Sequence, residues 1–162
     1  GIDTSLHNTQ LEDLLCVRIP VHFKKIKASQ FYGLADKSPR RQQELLRNAI
    51  AYLEEALAAP EAREFSMELL VDMHSTLGYI YDVEGDSRLA VDSFVTALWL
   101  LHKPFKNGVP CSKGYDLNAQ VAKTLYRLAA SYGKLGDRDR MQETYDRAEC
   151  FREGDIFVAS VK

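Results

Sequence analysis

The chain has 162 residues, 46% of them hydrophobic and 27% charged, and a net charge of -2. This is the composition of one folded domain, and it excludes a disordered, fibrous or membrane-spanning chain, because no apolar run approaches the ~18 residues a bilayer needs. A charge this near zero carries no nucleic-acid signature, although residues 21–50 hold seven Lys and Arg against two Asp and Glu, and residues 51–100 hold two against ten.

The chain opens on Gly1 with no leader pattern after it, which reads as a scar of expression or as a cut from a longer chain. A first helix is predicted over residues 5–17, with Leu6, Leu11, Leu14 and Leu15 on its apolar side. A second covers residues 21–36. A third covers 39–59, where Pro39 suits a first helical turn and Leu46, Ile50, Leu53 and Leu57 form a buried stripe. A fourth begins after Pro60 and reaches Val83. A fifth begins after Gly85-Asp86 and ends near Leu101. A connector rich in Pro and Gly follows, then a sixth helix over 117–135 with Asp116 as its N-cap, and a seventh over 137–151. The tail after it is apolar enough to dock. The fold class is therefore all-α, an antiparallel array of about seven helices.

Two stretches share one frame. LGYIYDVEGD (Leu77 to Asp86) and LAASYGKLGD (Leu128 to Asp137) both read Leu, small residue, two variable positions, Tyr, three variable positions, Gly-Asp. In each, the Gly stands where a left-handed C-cap is wanted and the Asp where the next helix needs an acceptor. After the first copy Ala90, Phe94 and Ala97 lie on one face. After the second, Met141, Tyr145 and Ala148 do so. Small residues at Gly78 and Ala90 admit a close helix pair, and Met141 in place of a small residue makes the second copy weaker.

This frame resembles the tetratricopeptide repeat, a 34-residue helix–turn–helix. The resemblance covers residues 71–104 and 121–151, with a degenerate copy before them visible in Ala49, Leu53, Ala56 and Leu57. Its Ala recurs at Ala56, Ala97 and Ala148, spacings longer than 34, and His74 and Leu125 stand where the family places Trp. The resemblance implies a TPR-like α-solenoid over residues 1–162. It would comprise an N-terminal helix (1–20), a degenerate repeat (21–59), a repeat (60–104), a connector (105–118), a repeat (119–152) and a tail (153–162).

In such an array the repeated frame is scaffold. Leu77, Tyr81, Phe94, Trp99, Leu128, Tyr132 and Tyr145 are then packing residues. The resemblance implies a groove lined by the first helix of each pair: Asp72, Ser75, Tyr79 and Asp82 from one copy, then Lys123, Tyr126, Ala130 and Gly133 from the other, with Arg127 and Lys134 beside them. Tyr and Arg are the usual anchors of protein contacts. Lys123 and Arg127 also fall where one subclass of the family clamps the terminal carboxylate of chaperones. The remaining clamp positions hold Ser75, Thr76 and Tyr79, so that clamp is incomplete.

The four His residues are isolated from any metal-like spacing, and no phosphate loop or nucleophile elbow occurs, so an enzyme, a metal site and a cofactor are not expected. Cys111 beside Lys113 is a lone thiol without a predicted base. Lys24, Lys25, Lys27, Arg40, Arg41 and Arg47 cluster, but few aromatics interleave them, which speaks against nucleic acid. Three widely spaced cysteines fit a reducing, intracellular and cytoplasmic home. The expected function is a non-catalytic interaction module, a scaffold or adaptor holding a peptide segment or a partner protein. The alternative is structural: self-assembly, or packing on a larger protein, through the tail or the connector. The oligomeric state is left open.

Overall fold

The computed structural model describes residues 39–107 and 116–152. Among the described residues there are five α-helices and one 3-10 helix and no strand: α1 (Pro39–Ala58), the 3-10 turn Pro60–Glu64, α2 (Met67–Val83), α3 (Ser87–Asn107), α4 (Leu117–Lys134) and α5 (Arg138–Arg152). The fold is all-α, as expected. The helices predicted over 5–17 and 21–36, together with Cys16, Cys111, His7, His22 and the lysines at 24, 25 and 27, lie outside the described residues. Contacts divide the chain into one unit ending at Leu69 and a second beginning at Leu70.

In the first unit, α1 buries Leu46, Ala49, Leu53 and Ala56. Ile50 and Leu57, expected in that stripe, are half-buried. The series 46, 49, 53 and 56 and the expected 46, 50, 53 and 57 both follow the three-and-four spacing of a helix face and share Leu46 and Leu53; the buried line is the one turned toward the alanines. Arg40, Arg41 and Arg47 are exposed on the same helix. The fourth helix, predicted to begin after Pro60, starts only at Met67. Pro60 opens a short 3-10 turn, closed by Ala62 N–H donating to the Ala59 carbonyl at 3.0 Å. α2 then begins afresh, because Ser66 Oγ accepts from the Leu69 N–H at 3.2 Å as an N-cap.

In the second unit, α2 and α3 form one hairpin and α4 and α5 another, and α4 packs on both α3 and α5. The two joints are alike in detail. Gly85 and Gly136 have φ of 90° and 81°. The Asp86 N–H reaches back to the Tyr81 carbonyl at 2.8 Å while the Gly85 N–H donates to Asp82 O at 3.1 Å. Asp137 N–H to Tyr132 O and Gly136 N–H to Gly133 O, both at 3.0 Å, repeat the pair. This is the Schellman closure of a helix C-terminus. Each Asp then caps the next helix: Asp86 Oδ1 accepts from Leu89 N–H at 3.2 Å, and Asp137 Oδ1 from Arg140 N–H at 3.1 Å. One residue thus closes one helix and opens the next. Asp116 caps α4 by accepting from Ala119 N–H at 3.0 Å.

The core of this unit contains Val71, Leu77, Ile80, Tyr81, Ala90, Phe94, Ala97, Leu101, Leu125, Leu128 and Ala148. Tyr132 and Tyr145 are half-buried, and Trp99 is 58% exposed, which corrects its assignment to packing. At ~100° per residue, Trp99 lies opposite the line of Ala90, Phe94, Ala97 and Leu101. α3 also passes Leu101 and Pro104 and ends at Asn107. Proline lacks a backbone donor, and here the helix continues less than one turn beyond it rather than stopping before it.

Candidate interaction surface

α2 and α4, the first helices of the two hairpins, lie side by side. Tyr79 meets Arg127, whose Cζ is 5.0 Å from the ring centroid. One turn on, Asp82 Oδ2 pairs with Lys134 Nζ at 2.7 Å and Asp82 Oδ1 lies 3.2 Å from Ser131 Oγ. Position 79 thus meets 127, and 82 meets 131 and 134, so the two helices run parallel. Arg127, Ser131 and Lys134 are spaced i, i+4 and i+7, one helical face. The Ser87 hydroxyl, at the start of α3, also donates to Asp82 Oδ1 at 3.1 Å. Asp82 therefore ties α2, α3 and α4 at one carboxylate.

The series chosen from the sequence does not form one continuous wall. Asp72, Ser75 and Tyr79 are half-buried on α2, and Tyr79 and Asp82 turn toward α4. On α4 it is Arg127 and Lys134, placed beside the series in the sequence reading, that face α2. Tyr126 turns the other way: its hydroxyl donates to Glu149 Oε1 and its ring is 6.2 Å from Tyr145, tilted by 50°. Gly133 also faces α5, where a Cβ would stand 2.8 Å from Met141 Sδ. Lys123 is exposed. The helical spacing of 123, 126, 130 and 133 is sound, but that face is shared with α5.

Burial lowers the pKa of the Arg127 guanidinium, and Tyr79 and Asp72 act in the opposite sense. Arg127 stays cationic, and a cation held over a ring and near a carboxylate needs little rearrangement to receive an anionic or aromatic group. Arg127 also borders a cavity of about 600 Å³ at the start of α4 and the end of α5, which Ala119, Ala122, Lys123, Tyr126 and Phe151 line as well. Ser87, Ser131 and Glu149 carry much of this geometry and were not singled out from the sequence. Ser131 alone left a signal there, four residues from Arg127 and three from Lys134.

Among the described residues no group of three or more His, Cys, Asp and Glu could hold a metal, and no helix is long and apolar enough to cross a membrane. The parallel first helices, the Gly-Asp joints and the small residues at the helix crossings are the geometry of stacked helical hairpins. No curated protein matches the chain. The family model of the tetratricopeptide repeat matches residues 122–149, a span within the α4–α5 hairpin, which supports the resemblance over that hairpin.

Proposed function

We propose that the chain is a protein–protein interaction module, a scaffold or adaptor of the cytoplasm, that holds a partner segment along α2 and α4. Tetratricopeptide repeats generally mediate protein–protein interactions. The observation that carries the reading here is the half-buried Tyr79–Arg127 stack between the two parallel helices, whose arginine also borders the cavity beside Lys123. Asp72, Ser75, Asp82 and Lys134 lie on the same two helices, and Tyr126, turned to α5, lines the cavity. An arginine with its fork preorganised over an aromatic ring is the kind of group that dominates protein contacts. A partner segment with a carboxylate for Lys123 and Arg127 and an apolar side chain for the cavity fits this strip.

The test uses Lys123→Glu, an exposed position, beside Arg127→Lys, which keeps the charge and loses the planar fork. Partners captured from a native cell extract by the parent are identified by crosslinking from Lys123 and then measured against both variants. Lys123→Glu is expected to weaken capture about tenfold, a loss of ~1.4 kcal/mol, with helicity and melting temperature within experimental error of the parent. Equal capture by both variants removes the α2–α4 strip as the site.

A further inference from the structure

On α1 the side opposite the buried line is polar and built. Arg40, Gln43, Glu44, Arg47 and Asn48 are all exposed, while Leu46, Ala49, Leu53 and Ala56 are buried. At ~100° per residue Arg40 and Arg47 differ by only ~20° and stand in one row. Glu44 lies beside that row, with Gln43 and Asn48 on its two flanks. The five side chains line a cavity of about 430 Å³. Its charges read plus, minus, plus along the helix, two guanidinium groups against one carboxylate. A rise of ~1.5 Å per residue sets Arg40 and Arg47 ~10.5 Å apart along the axis. The two carboxamides add donors and acceptors. The residues of the α2–α4 strip belong to the second unit, so this cavity is a separate surface.

We propose that this face of α1 binds a partner protein's segment in the polyproline II conformation, with Asp or Glu at positions i and i+3 and a cation between them. The charges then alternate minus, plus, minus against plus, minus, plus. Side chains of such a segment return to one side every third residue, ~9.3 Å apart at ~3.1 Å per residue. That span suits two long guanidinium side chains rooted ~10.5 Å apart, and each arginine fork takes a carboxylate in two parallel hydrogen bonds. The backbone of the segment has no internal hydrogen bonds, so the carboxamides of Gln43 and Asn48 have N–H and C=O groups to meet. Other occupants fit less well. A helix has its backbone already paired. A β-extended segment repeats on one side every ~6.6 Å, at ~3.3 Å per residue, which is too short for the row. A nucleic-acid strand carries a negative charge at every phosphate, which sets a phosphate against Glu44.

The probe is the labelled synthetic peptide Pro-Pro-Glu-Pro-Lys-Glu-Pro-Pro, titrated with the full chain at low ionic strength and followed by fluorescence anisotropy. A control of the same composition, Pro-Pro-Pro-Glu-Lys-Glu-Pro-Pro, moves the carboxylates to i and i+2. The expected result is saturable binding, about fivefold tighter for the first peptide. Arg40→Glu and Arg47→Glu each weaken it by about fivefold, and Lys123→Glu leaves it unchanged. Lys in place of the probe's second Glu restores affinity for one of the two Arg variants and lowers it for the parent, which also fixes the direction of the segment. All three positions are exposed, so helicity and melting temperature are expected to match the parent. The comparison of the two peptides on the parent chain holds even where a variant unfolds. Absence of saturable binding to the parent, or equal affinity for the two peptides, overturns the proposal. So does a single-stranded oligothymidylate that outcompetes the probe and is lost with the same variants. A molecular mass that rises with concentration in the parent and not in Arg47→Glu makes the face a contact between copies, and overturns it too.

Discussion

At Gly78 the two hairpins' common frame meets its tightest steric limit. A Cβ there would stand 2.8 to 3.0 Å from three ring atoms of Phe94, and that ring is 1% exposed with no room to retreat. Overpacking of this kind costs about 1–3 kcal/mol. Gly133 faces a contact of the same length, but the atom is Met141 Sδ, the flexible end of a half-buried side chain. A methionine turns aside at small cost, and Ala in a helix interior is worth about 1 kcal/mol over Gly. The same helix gain offsets part of the cost at Gly78, so urea unfolding is expected to show Gly78→Ala destabilised by up to about 2 kcal/mol and Gly133→Ala unchanged or slightly stabilised. Equal losses at both sites would show that distance alone, and not the partner's freedom, sets the cost. The same residue scale explains Trp99. Its place in the repeated scaffold suggested the core, but its angular position on α3 places it outside.

Between elements, the question is what fixes α2 against α4. The Asp82 side chain is 15% exposed and Lys134 is 53% exposed. The ion pair faces water on the lysine side, and exposed pairs are worth about 0–1 kcal/mol. Asp82 does more. The hydroxyls of Ser87 and Ser131, 7% and 0% exposed, both have it as an acceptor, although Ser131 also has the Arg127 carbonyl at 3.2 Å. Removing Asp82 leaves the Ser87 hydroxyl without this acceptor, at a cost of about 1–3 kcal/mol. Chemical unfolding of Asp82→Ala and Lys134→Ala is expected to show the larger loss for Asp82, with the Lys134 effect fading in high salt. Equal losses would reduce the site to a simple ion pair.

How the elements were legible follows from the same physics. The Gly-Asp joints were readable because left-handed backbone and N-capping each restrict residue type, so type discloses geometry. The α4 boundaries were readable for that reason too, with Asp116 at one end and Gly136 beyond the other. The break at Phe65-Ser66 was not. An apolar pattern continues through it, and only the capping hydroxyl of Ser66 marks the new start. The direction of Tyr126 was hidden because helical spacing gives a face, and which neighbour covers that face is a property of the stack. A groove read from one helix at a time therefore mixed residues turned to α2 with residues turned to α5.

At the scale of the whole molecule, stacked hairpins share stability between neighbours, so one awkward residue is felt beyond its own helix. His74 is such a residue. It corresponds in the shared frame to Leu125, which is fully buried in α4. Burial lowers the His74 pKa below its ordinary 6.5, so the imidazole is held neutral in the fold. The unfolded chain, with an ordinary histidine, then binds a proton more readily than the folded chain. Stability from this group is accordingly full above about pH 6.5. It is lost as pH falls through that value and changes no further once the folded pKa is passed. Other groups titrate as well, so the quantity to measure is a difference. Thermal melts of the parent and of His74→Leu between pH 5.5 and pH 8 are expected to show the variant gaining on the parent as pH falls, because leucine has no proton to gain. Above about pH 7 the difference should be constant. A difference flat across the whole range would place His74 in contact with water, and the buried imidazole would no longer account for any acid sensitivity of the fold.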